Sequence, residues 1–321
     1  MKKIYILCCL FFVALLTSCT ENVVKETFTF YAMDTFISLS FYNTPNGKEL
    51  SKKVESIYLD YESVADDFEP GIATENVYDL NQKRTIKATT EMTELLTYSV
   101  EMMKVTQGYF NPFIGRLSHL WKESLEDNKI VEERIISQEL EIMNQTALEI
   151  TEESITLIGD GNVDLGGVAK GFATSKAKEY LDSMDCHSYL LNAGSSNLVL
   201  GNKNGKEFTV GLSKALGTGY FRTLKIKDKC ISTSSIREQH VKINNVYYSH
   251  LLNPKTGYPA MYYETLSIIG EDSKELDVFS TAGFAMDLET LKTFMNEKNL
   301  EFIVSKDNKT LYESIGVKKY A

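Results

Sequence analysis

The chain has 321 residues, of which 43% are hydrophobic and 24% charged, so it can bury a substantial core, and disorder as its main state is excluded. Acidic residues outnumber basic ones by 44 to 34, which gives a formal net charge of −10. This charge opposes non-specific binding to the phosphates of nucleic acid. After residue 18 no apolar run approaches the roughly 20 residues that span a bilayer, which excludes a polytopic membrane protein.

The first segment has the pattern of a secretory signal. Two lysines precede an apolar run over residues 4–16, which is short for a transmembrane helix. The run leads into Leu-Thr-Ser-Cys ending at Cys19, which resembles the lipobox of bacterial lipoproteins. The sequence therefore predicts a signal peptide over 1–18, a lipid anchor on Cys19 with a tether over 19–26, and a place on the extracytoplasmic face of the cell membrane. The alternative is an ordinary signal with a chance cysteine.

Two cysteines remain in the body of the chain, Cys186 and Cys230. They could form one disulfide in an oxidising compartment, but neither lies in a CxxC or zinc-type spacing. We therefore expect two buried thiols.

The body of the chain mixes strand and helix patterns without a regular βαβ rhythm. No repeat or Pro-rich linker divides it, so we expect a single domain over 27–321 with an α+β fold of mixed, largely antiparallel sheets surrounded by helices. The predicted elements are a strand pair within 27–42 broken near Met33-Asp34-Thr35, helices over 48–65, 92–103 and 132–144, a hairpin over 148–158, a helix ending near 184, strands at 189–192, 197–200, 208–211, 222–226 and 266–270, a loop at 247–259, a helix over 277–297 and two strands within 300–312.

A glycine-rich stretch runs from Gly159 to Gly171. We expect a strand to deliver Asp164 and a helix to begin with Lys170 in its first turn, where unpaired N–H groups and an ammonium attract a phosphate. The alternative is a plain strand-to-helix turn at Gly166-Gly167. The stretch matches neither GxGxxG nor a Walker A motif, so a Rossmann or P-loop site is excluded.

A second cluster runs from Asp277 to Phe284. If a helix starts here, Asp277 and Thr281 are one turn apart and their oxygens can meet at one hard cation such as Mg²⁺. The alternative is that Asp277 caps the helix and Thr281 is ordinary helix surface.

A third cluster surrounds His250. Asn253-Pro254 and Thr256-Gly257 are strong turn signals, which place His250 at the mouth of a loop. The four histidines of the chain do not form a metal-ligand spacing. His250 is therefore either a packing residue or a general base.

Taken together, these clusters resemble the ApbE family, the FAD:protein FMN transferases, over nearly the whole chain after the signal. The resemblance rests on motifs that occur in family order. They are Met33-Asp34-Thr35, Phe110 to Leu117, Asp164 to Gly171, Asn192-Ala193-Gly194, Ile231 to Ser234, His250 to Gly257 and the Asp-x-x-x-Thr spacing of Asp277 and Thr281.

The resemblance implies an enzyme that moves FMN from FAD to a Thr or Ser hydroxyl of an extracytoplasmic flavoprotein, for example a membrane redox-complex subunit, with release of AMP and dependence on Mg²⁺. His250 is the candidate base, because neutral imidazole titrates near working pH and its loop also carries Thr256, and the alternative is that it only pins the loop. Asp277 is expected to be catalytic as well. The implied flavin-nucleotide contacts are Met33, Phe68, Tyr109, Phe110, Asn111, Asp164, Lys170 and Thr256, and the implied metal ligands are the Gly167 carbonyl, Asp277 and Thr281.

Some positions depart from the family pattern. This chain has Asn111 where the family usually has Asp, and Asp34 where it has Gly. It has Ser195-Ser196 in place of a Gly-Gly or Gly-Asp pair, and Arg116 in place of Pro. Two other functions stay open at this point: an FAD pyrophosphatase that gives FMN and AMP, and a non-catalytic lipoprotein that stores flavin.

Overall fold

The computed structural model describes residues 23–237 and 239–321. The expected signal peptide and the expected anchor at Cys19 lie outside the described residues. Within those residues, no helix combines the length and apolar character needed to cross a bilayer.

The elements follow one another as strands interrupted by helices. The strands are β1 (Lys25–Ala32), β2 (Thr35–Tyr42), β3 (Thr85–Lys87), β4 (Ala147–Ile150), β5 (Ser154–Ile158), β6 (Tyr189–Ala193), β7 (Asn197–Leu200), β8 (Phe208–Ser213), β9 (Tyr220–Ile226), β10 (Lys229–Ser235), β11 (His240–Ile243), β12 (Val246–Ser249), β13 (Thr265–Gly270), β14 (Glu301–Lys306) and β15 (Lys309–Glu313). The helices are α1 (Gly47–Ala65), α2 (Val77–Lys83), α3 (Thr90–Val105), α4 (Gly115–Glu126), α5 (Glu133–Asn144), α6 (Ala169–Ser183), α7 (Ser273–Phe284), α8 (Leu288–Glu297) and a closing 3₁₀ helix (Ile315–Tyr320).

An eight-stranded sheet organises the fold. Its strand order is β1-β2-β6-β7-β10-β13-β14-β15, and every neighbouring pair is antiparallel. A three-stranded sheet β3-β5-β4 and the pairs β8-β9 and β11-β12 complete the described strands. The expected α+β class with largely antiparallel sheets is confirmed.

Both faces of the main sheet are buried. Successive residues of a strand point to opposite faces, so Ile268 of β13 joins the larger core under α1, α6 and α7, whereas Ile269 joins a smaller core. The smaller core contains residues of the β8-β9 hairpin and Val317 of the 3₁₀ helix. On the helical side, α6 and α7 pack against the central strands.

A two-residue turn joins β1 to β2. Ala32 pairs with Thr35, and Met33 and Asp34 have φ angles of 51° and 57°. Two successive positive φ angles characterise the hairpin turn whose twist matches that of the strands, and Asp tolerates this region better than most residues other than Gly. The predicted break in the strand pair is confirmed, and the backbone geometry explains how Asp34 stands where the family has Gly.

Three local expectations were wrong. The helix expected over 277–297 is two helices, α7 and α8, because Asp287 accepts hydrogen bonds from the N–H groups of Glu289 and Thr290, both at 3.0 Å, and so starts a new helix. No strand delivers Asp164, since only Asn162 forms an isolated bridge there, to Ile114. The loop expected over 247–259 begins later, because its first residues belong to β12.

The two cysteines of the body are unpaired and buried, as expected. Burial raises the pKa of both thiols, for Cys230 to about 12. Thiols this hard to ionise are poor nucleophiles, so neither is a candidate for chemistry.

Candidate functional site

A cleft of about 930 Å³ lies beside the β1-β2 turn and the start of α6. Its size falls within the usual range of small-molecule sites. Five of the residues singled out from the sequence line it, namely Met33, Phe68, Asp164, Lys170 and His250. The other seven, Tyr109, Phe110, Asn111, Gly167, Thr256, Asp277 and Thr281, are not part of that lining.

Asp277 lies behind the cleft wall, against the first turn of α6. Its Oδ2 accepts a hydrogen bond of 2.7 Å from the Gly171 N–H, and only 8% of the residue is exposed. The contact requires glycine, because a Cβ on Gly171 would come within 2.2 Å of the Asp277 Cβ. The glycine at the end of the Asp164–Gly171 motif thus allows a buried carboxylate to approach the helix.

Two central strands complete the surroundings of this carboxylate. The Asp277 Oδ1 accepts from the Asn197 amide at 3.0 Å and from the Ser232 hydroxyl at 3.3 Å. Ser232 also contacts the Asn197 Oδ1 at 2.7 Å, so the three side chains fix one another. Asp277 therefore ties α7 to β7, β10 and α6 at once.

The expectation that a helix starts at Asp277 is wrong, and so is its alternative role as that helix's cap. Asp272 caps α7, with its Oδ1 accepting from the Lys274 N–H at 3.1 Å. Asp277 lies in the second turn and instead satisfies one of the otherwise unpaired N–H groups of a different helix, α6. Thr281 is one turn further along α7, as expected, and donates to the Asp277 carbonyl at 3.1 Å.

The electrostatics of Asp277 follow from this burial. Loss of solvent raises the pKa of the carboxyl, and Lys170 together with the hydrogen bonds from Asn197 and Gly171 opposes that rise. The ammonium of Lys170 is therefore close enough to stabilise the ionised form.

Gly167 lies beside Thr281, one turn along α7 from Asp277. A Cβ built on Gly167 would lie 3.0 Å from the Thr281 Cγ2 and 3.4 Å from its Oγ1, so Gly167 and Thr281 are in contact range, and Asp277 is one turn away from Thr281. A carboxylate, a hydroxyl and a backbone carbonyl fit Mg²⁺. Within 23–237 and 239–321 no three His, Cys, Asp or Glu side chains form a metal cluster, so a cation here would also use oxygens of a bound ligand or water.

Asp164 lies in the cleft wall just before Gly166. Its Oδ1 accepts from the Gly166 N–H at 2.8 Å. Burial raises the pKa of Asp164, and the nearby Asp67 raises it further, while the Gly166 hydrogen bond lowers it. A carboxyl in this setting can act as hydrogen-bond acceptor or, when protonated, as donor to a polar ring edge.

An aromatic and charged group lines the same part of the cleft. The His119 Nε2 lies 2.9 Å from the Asp67 Oδ2. Phe68 stacks on His119 with ring centroids 5.3 Å apart, and the Lys122 ammonium lies 4.3 Å from the Phe68 centroid. The hydrogen bond to Asp67 raises the pKa of His119, which favours the imidazolium.

His250 lies at the rim and is exposed. Its Nδ1 is 3.1 Å from the Gln239 carbonyl oxygen. Because a carbonyl can only accept, Nδ1 carries the hydrogen, and Nε2 is the nitrogen of neutral His250 that can take a proton.

The loop after His250 is held by α4. The Trp121 Nε1 donates a buried hydrogen bond of 2.6 Å to the Gly257 carbonyl. Thr256 is exposed and accepts from the Tyr258 N–H at 3.3 Å. Lys255 places its ammonium 4.2 Å from the Tyr109 ring centroid, so this loop and the segment from Tyr109 to Asn111 meet beside the cleft lining rather than within it.

Sequence reasoning missed several residues at the site. Asp67, His119 and Lys122 were not predicted as site residues, although His119 and Lys122 are three apart on α4 and Asp67 precedes Phe68. Asn197 and Ser232 also had no assigned role. Glu62 was missed as well; its Oε1 accepts from the Met33 N–H at 2.5 Å and holds the β1-β2 turn.

Comparison with known proteins identifies the family. The model of the ApbE family matches residues 33–304. This match covers most of the chain, and the chain belongs to the ApbE family.

Relatives of known name agree with that assignment. An FAD:protein FMN transferase of Klebsiella pneumoniae is 25% identical over 226 residues, 68% of this chain and 70% of the relative. One of Chlamydia pneumoniae is 23% identical over 245 residues, 74% and 76% of the two chains.

Solved structures share the fold. The ApbE protein of Thermotoga maritima superimposes with a TM-score of 0.82 at 19% identity, covering 92% of this chain and 99% of that one. The flavin transferase ApbE of Vibrio cholerae gives a TM-score of 0.77 at 17% identity, covering 93% and 100%. At these identities the structural likeness shows the fold alone.

The Asp67–His119 pair predicts a pH-dependent contribution to stability. Since the folded-state pKa of His119 is raised, the stabilisation is fully present below the unfolded value of about 6.5 and is lost as pH rises through the folded-state value. We expect the free energy of unfolding to fall above about pH 6.5 in the wild type, and to fall less in His119→Asn, in denaturant titrations from about pH 5.5 to 8.5.

His187→Asn is the matched control for this experiment. His187 pairs at 3.0 Å with Asp185, whose side chain is 98% exposed, and such surface pairs contribute little. An unchanged pH dependence in His119→Asn would show that the Asp67 pair does not stabilise the fold.

Proposed function

We propose that this member of the ApbE family transfers FMN from FAD to a Ser or Thr hydroxyl of an extracytoplasmic flavoprotein, releases AMP and uses Mg²⁺. The observation that carries the proposal is the buried Asp277 carboxylate bonded to Gly171 in the first turn of α6, whose neighbour Lys170 lines a cleft that can take a dinucleotide. The names of the relatives support the same reaction.

The charge distribution favours one orientation of FAD. Carboxylates line much of the cleft, among them Glu62, Asp67 and Asp164, whereas Lys170 lies at the helix start. A pyrophosphate is repelled by these carboxylates and attracted by the Lys170 ammonium. The phosphates therefore belong at Lys170.

Another part of the cleft wall suits a flat ring. Phe68 is 55% exposed and lies with Met33 on the cleft wall, so both offer apolar contact to an isoalloxazine. Asp164 can hydrogen-bond the polar edge of such a ring. Four further residues remain proposed nucleotide contacts, namely Tyr109, Phe110, Asn111 and Thr256. They lie next to one another outside the cleft lining, which favours contact with the end of the dinucleotide that lies away from Phe68.

Magnesium would be held by the Gly167 carbonyl, Asp277 and Thr281. When bound, the ion would neutralise charge on the pyrophosphate and stabilise the leaving AMP. The protein's own part is to hold the phosphates beside Lys170 and to keep the Asp277 carboxylate in place through Asn197 and Ser232.

The acceptor hydroxyl loses its proton as it attacks. Its oxygen forms a bond to the FMN phosphorus while the bond from that phosphorus to the bridging oxygen breaks, and AMP carries away the electron pair. We propose that the imidazole of His250 takes the proton, because it lines the cleft and imidazole is the commonest general base in proteins. The position of His250 at the exposed rim suits an acceptor that arrives on another protein.

Hydrolysis and storage are the competing functions. Water could replace the hydroxyl and give free FMN and AMP, whereas a storage protein would leave FAD whole. A buried carboxylate with a neighbouring lysine is of little use for storage, which favours catalysis. We also propose that Cys19 carries the lipid anchor on the extracytoplasmic face and that the acceptor is a membrane redox-complex subunit.

The products distinguish these functions. Incubation of the chain with FAD, Mg²⁺ and a flavoprotein domain bearing an acceptor Thr should give a domain heavier by the FMN group and one AMP per label, measured by mass spectrometry. Equal free FMN and AMP without label would indicate a pyrophosphatase, and unchanged FAD would indicate storage. The same acceptor with Thr→Val is the control.

Asp277→Asn should remove turnover while leaving the chain folded. One amide oxygen replaces two acceptors, so one of the buried donors Gly171, Asn197 or Ser232 loses its partner at a cost of about 1–3 kcal/mol in unfolding free energy. We expect at least a hundredfold loss of AMP release at every Mg²⁺ concentration.

Asp272→Asn is the control for that variant. It makes the same change on the same helix, and Asn is an equally good cap, so activity should be nearly unchanged. Near-normal AMP release by Asp277→Asn would contradict the metal assignment.

Lys170→Gln and His250→Gln should separate binding from proton transfer. Loss of the ammonium should mainly raise KM for FAD, whereas loss of the imidazole should lower kcat roughly 10²–10⁴-fold with little change in FAD affinity. Steady-state kinetics and FAD titrations measure both effects. The assignment fails for His250 if its variant keeps kcat, and for Lys170 if FAD affinity is unchanged.

A further inference from the structure

A basic patch lies where the described chain begins. Lys25, Lys203 and Lys206 line a shallow depression together with Val23, Tyr42 and Glu207, and we call these three lysines the tether patch. The Lys25 and Lys203 ammonium groups lie 6.0 and 5.9 Å from the Tyr42 ring centroid. The ammonium groups of Lys25 and Lys203 therefore lie close to the same buried side chain, Tyr42.

These charges are not neutralised by the fold. Among residues 23–237 and 239–321, none of the three lysines forms an ion pair, even with Glu207. Lys227 adds a fourth ammonium nearby, since its Nζ donates to the Gly205 carbonyl in the turn after Lys203 at 3.0 Å. In a chain of net charge −10, such a local excess of positive charge is suited to an anionic partner.

We propose that the tether patch rests on the anionic lipid headgroups of the membrane that holds the chain. Four residue steps separate Cys19 from Val23, which span at most roughly 14 Å. A lipid on Cys19 therefore keeps the patch within a distance comparable to the Debye length of about 8–10 Å. Lysines held so close to an anionic bilayer are attracted to it. This attraction strengthens membrane binding beyond what the lipid chains provide.

This contact would orient the cleft. The patch and the cleft lie at opposite ends of the β1-β2 hairpin, because Lys25 pairs with Tyr42 at one end and Met33 turns at the other. The eight residues of β1 span roughly 24 Å at about 3.4 Å per residue. With the patch on the bilayer and the hairpin upright, the cleft would lie about this distance from the membrane surface, and the acceptor would present its hydroxyl there.

The inference rests on the proposed lipid anchor and not on FMN transfer, so it is tested without FAD. The lipidated chain is bound to neutral phosphatidylcholine vesicles or to vesicles with about one third phosphatidylglycerol, and exposed lysines are acetylated by a water-soluble reagent and measured by mass spectrometry. We expect Lys25, Lys203 and Lys206 to react at least threefold more slowly on the anionic vesicles, and the exposed Lys104, Lys129 and Lys309 to react equally on both.

Equal reactivity of the tether patch on both vesicles, with the chain retained on each, would overturn the contact with anionic lipid. Release of the chain from both vesicles would overturn the anchor and the inference with it. Neither result bears on catalysis, which the product assay tests separately.

Charge-removing variants provide a second measurement. Trp121 is the single tryptophan of the chain and lines the cleft, so its energy transfer to dansyl-labelled lipid reports the height of the cleft. Transfer should be lower on anionic than on neutral vesicles for the wild type and for the control K104Q/K129Q/K309Q, and equal on both for K25Q/K203Q/K206Q. A triple patch variant that behaves like the wild type would contradict the proposal.

Discussion

The carboxylate of Asp277 must be satisfied inside the protein, and this constraint fixes the arrangement of four elements. Burial of an ionised carboxylate without partners is prohibitively costly. Here the partners come from the start of α6 and from two central strands, through Gly171, Asn197 and Ser232. The side chain proposed to hold the metal ion is also the one that ties these elements together, and its close approach to α6 is why a Cβ at residue 171 is not tolerated.

Charges of both signs line the cleft. Carboxylates and exposed aromatic surface lie towards the β1-β2 turn and α4, with the Asp67–His119 pair balancing part of the negative charge there. Lys170, in the first turn of α6, adds a positive charge to the same lining. A ligand with a flat uncharged ring and phosphate groups would find apolar surface at Phe68 and a positive charge at Lys170 within the same cleft.

The sequence predicted those features that depend only on residues close together in the chain. The β1-β2 hairpin, the helix beginning near Lys170 and the one-turn spacing of Asp277 and Thr281 depend on periodicity and turn residues. The contact between Gly171 and Asp277 spans 106 residues and that between Asp67 and His119 spans 52, and no periodicity encodes either. The split between α7 and α8 was missed because apolar spacing continues through both helices while a single capping carboxylate, Asp287, separates them.

The departure at residue 34 shows how backbone and charge are linked at the site. The turn requires two positive φ angles, and Asp meets this requirement where Gly is usual in the family. The substitution therefore leaves the hairpin intact but adds a carboxylate to the cleft lining. An added carboxylate repels phosphate more strongly, so binding of a pyrophosphate would depend all the more on Lys170 and on the cation proposed at Asp277. The fold accepts Asp at residue 34 without a change in the hairpin. The departure from Gly therefore alters the charge of the cleft lining and not the architecture.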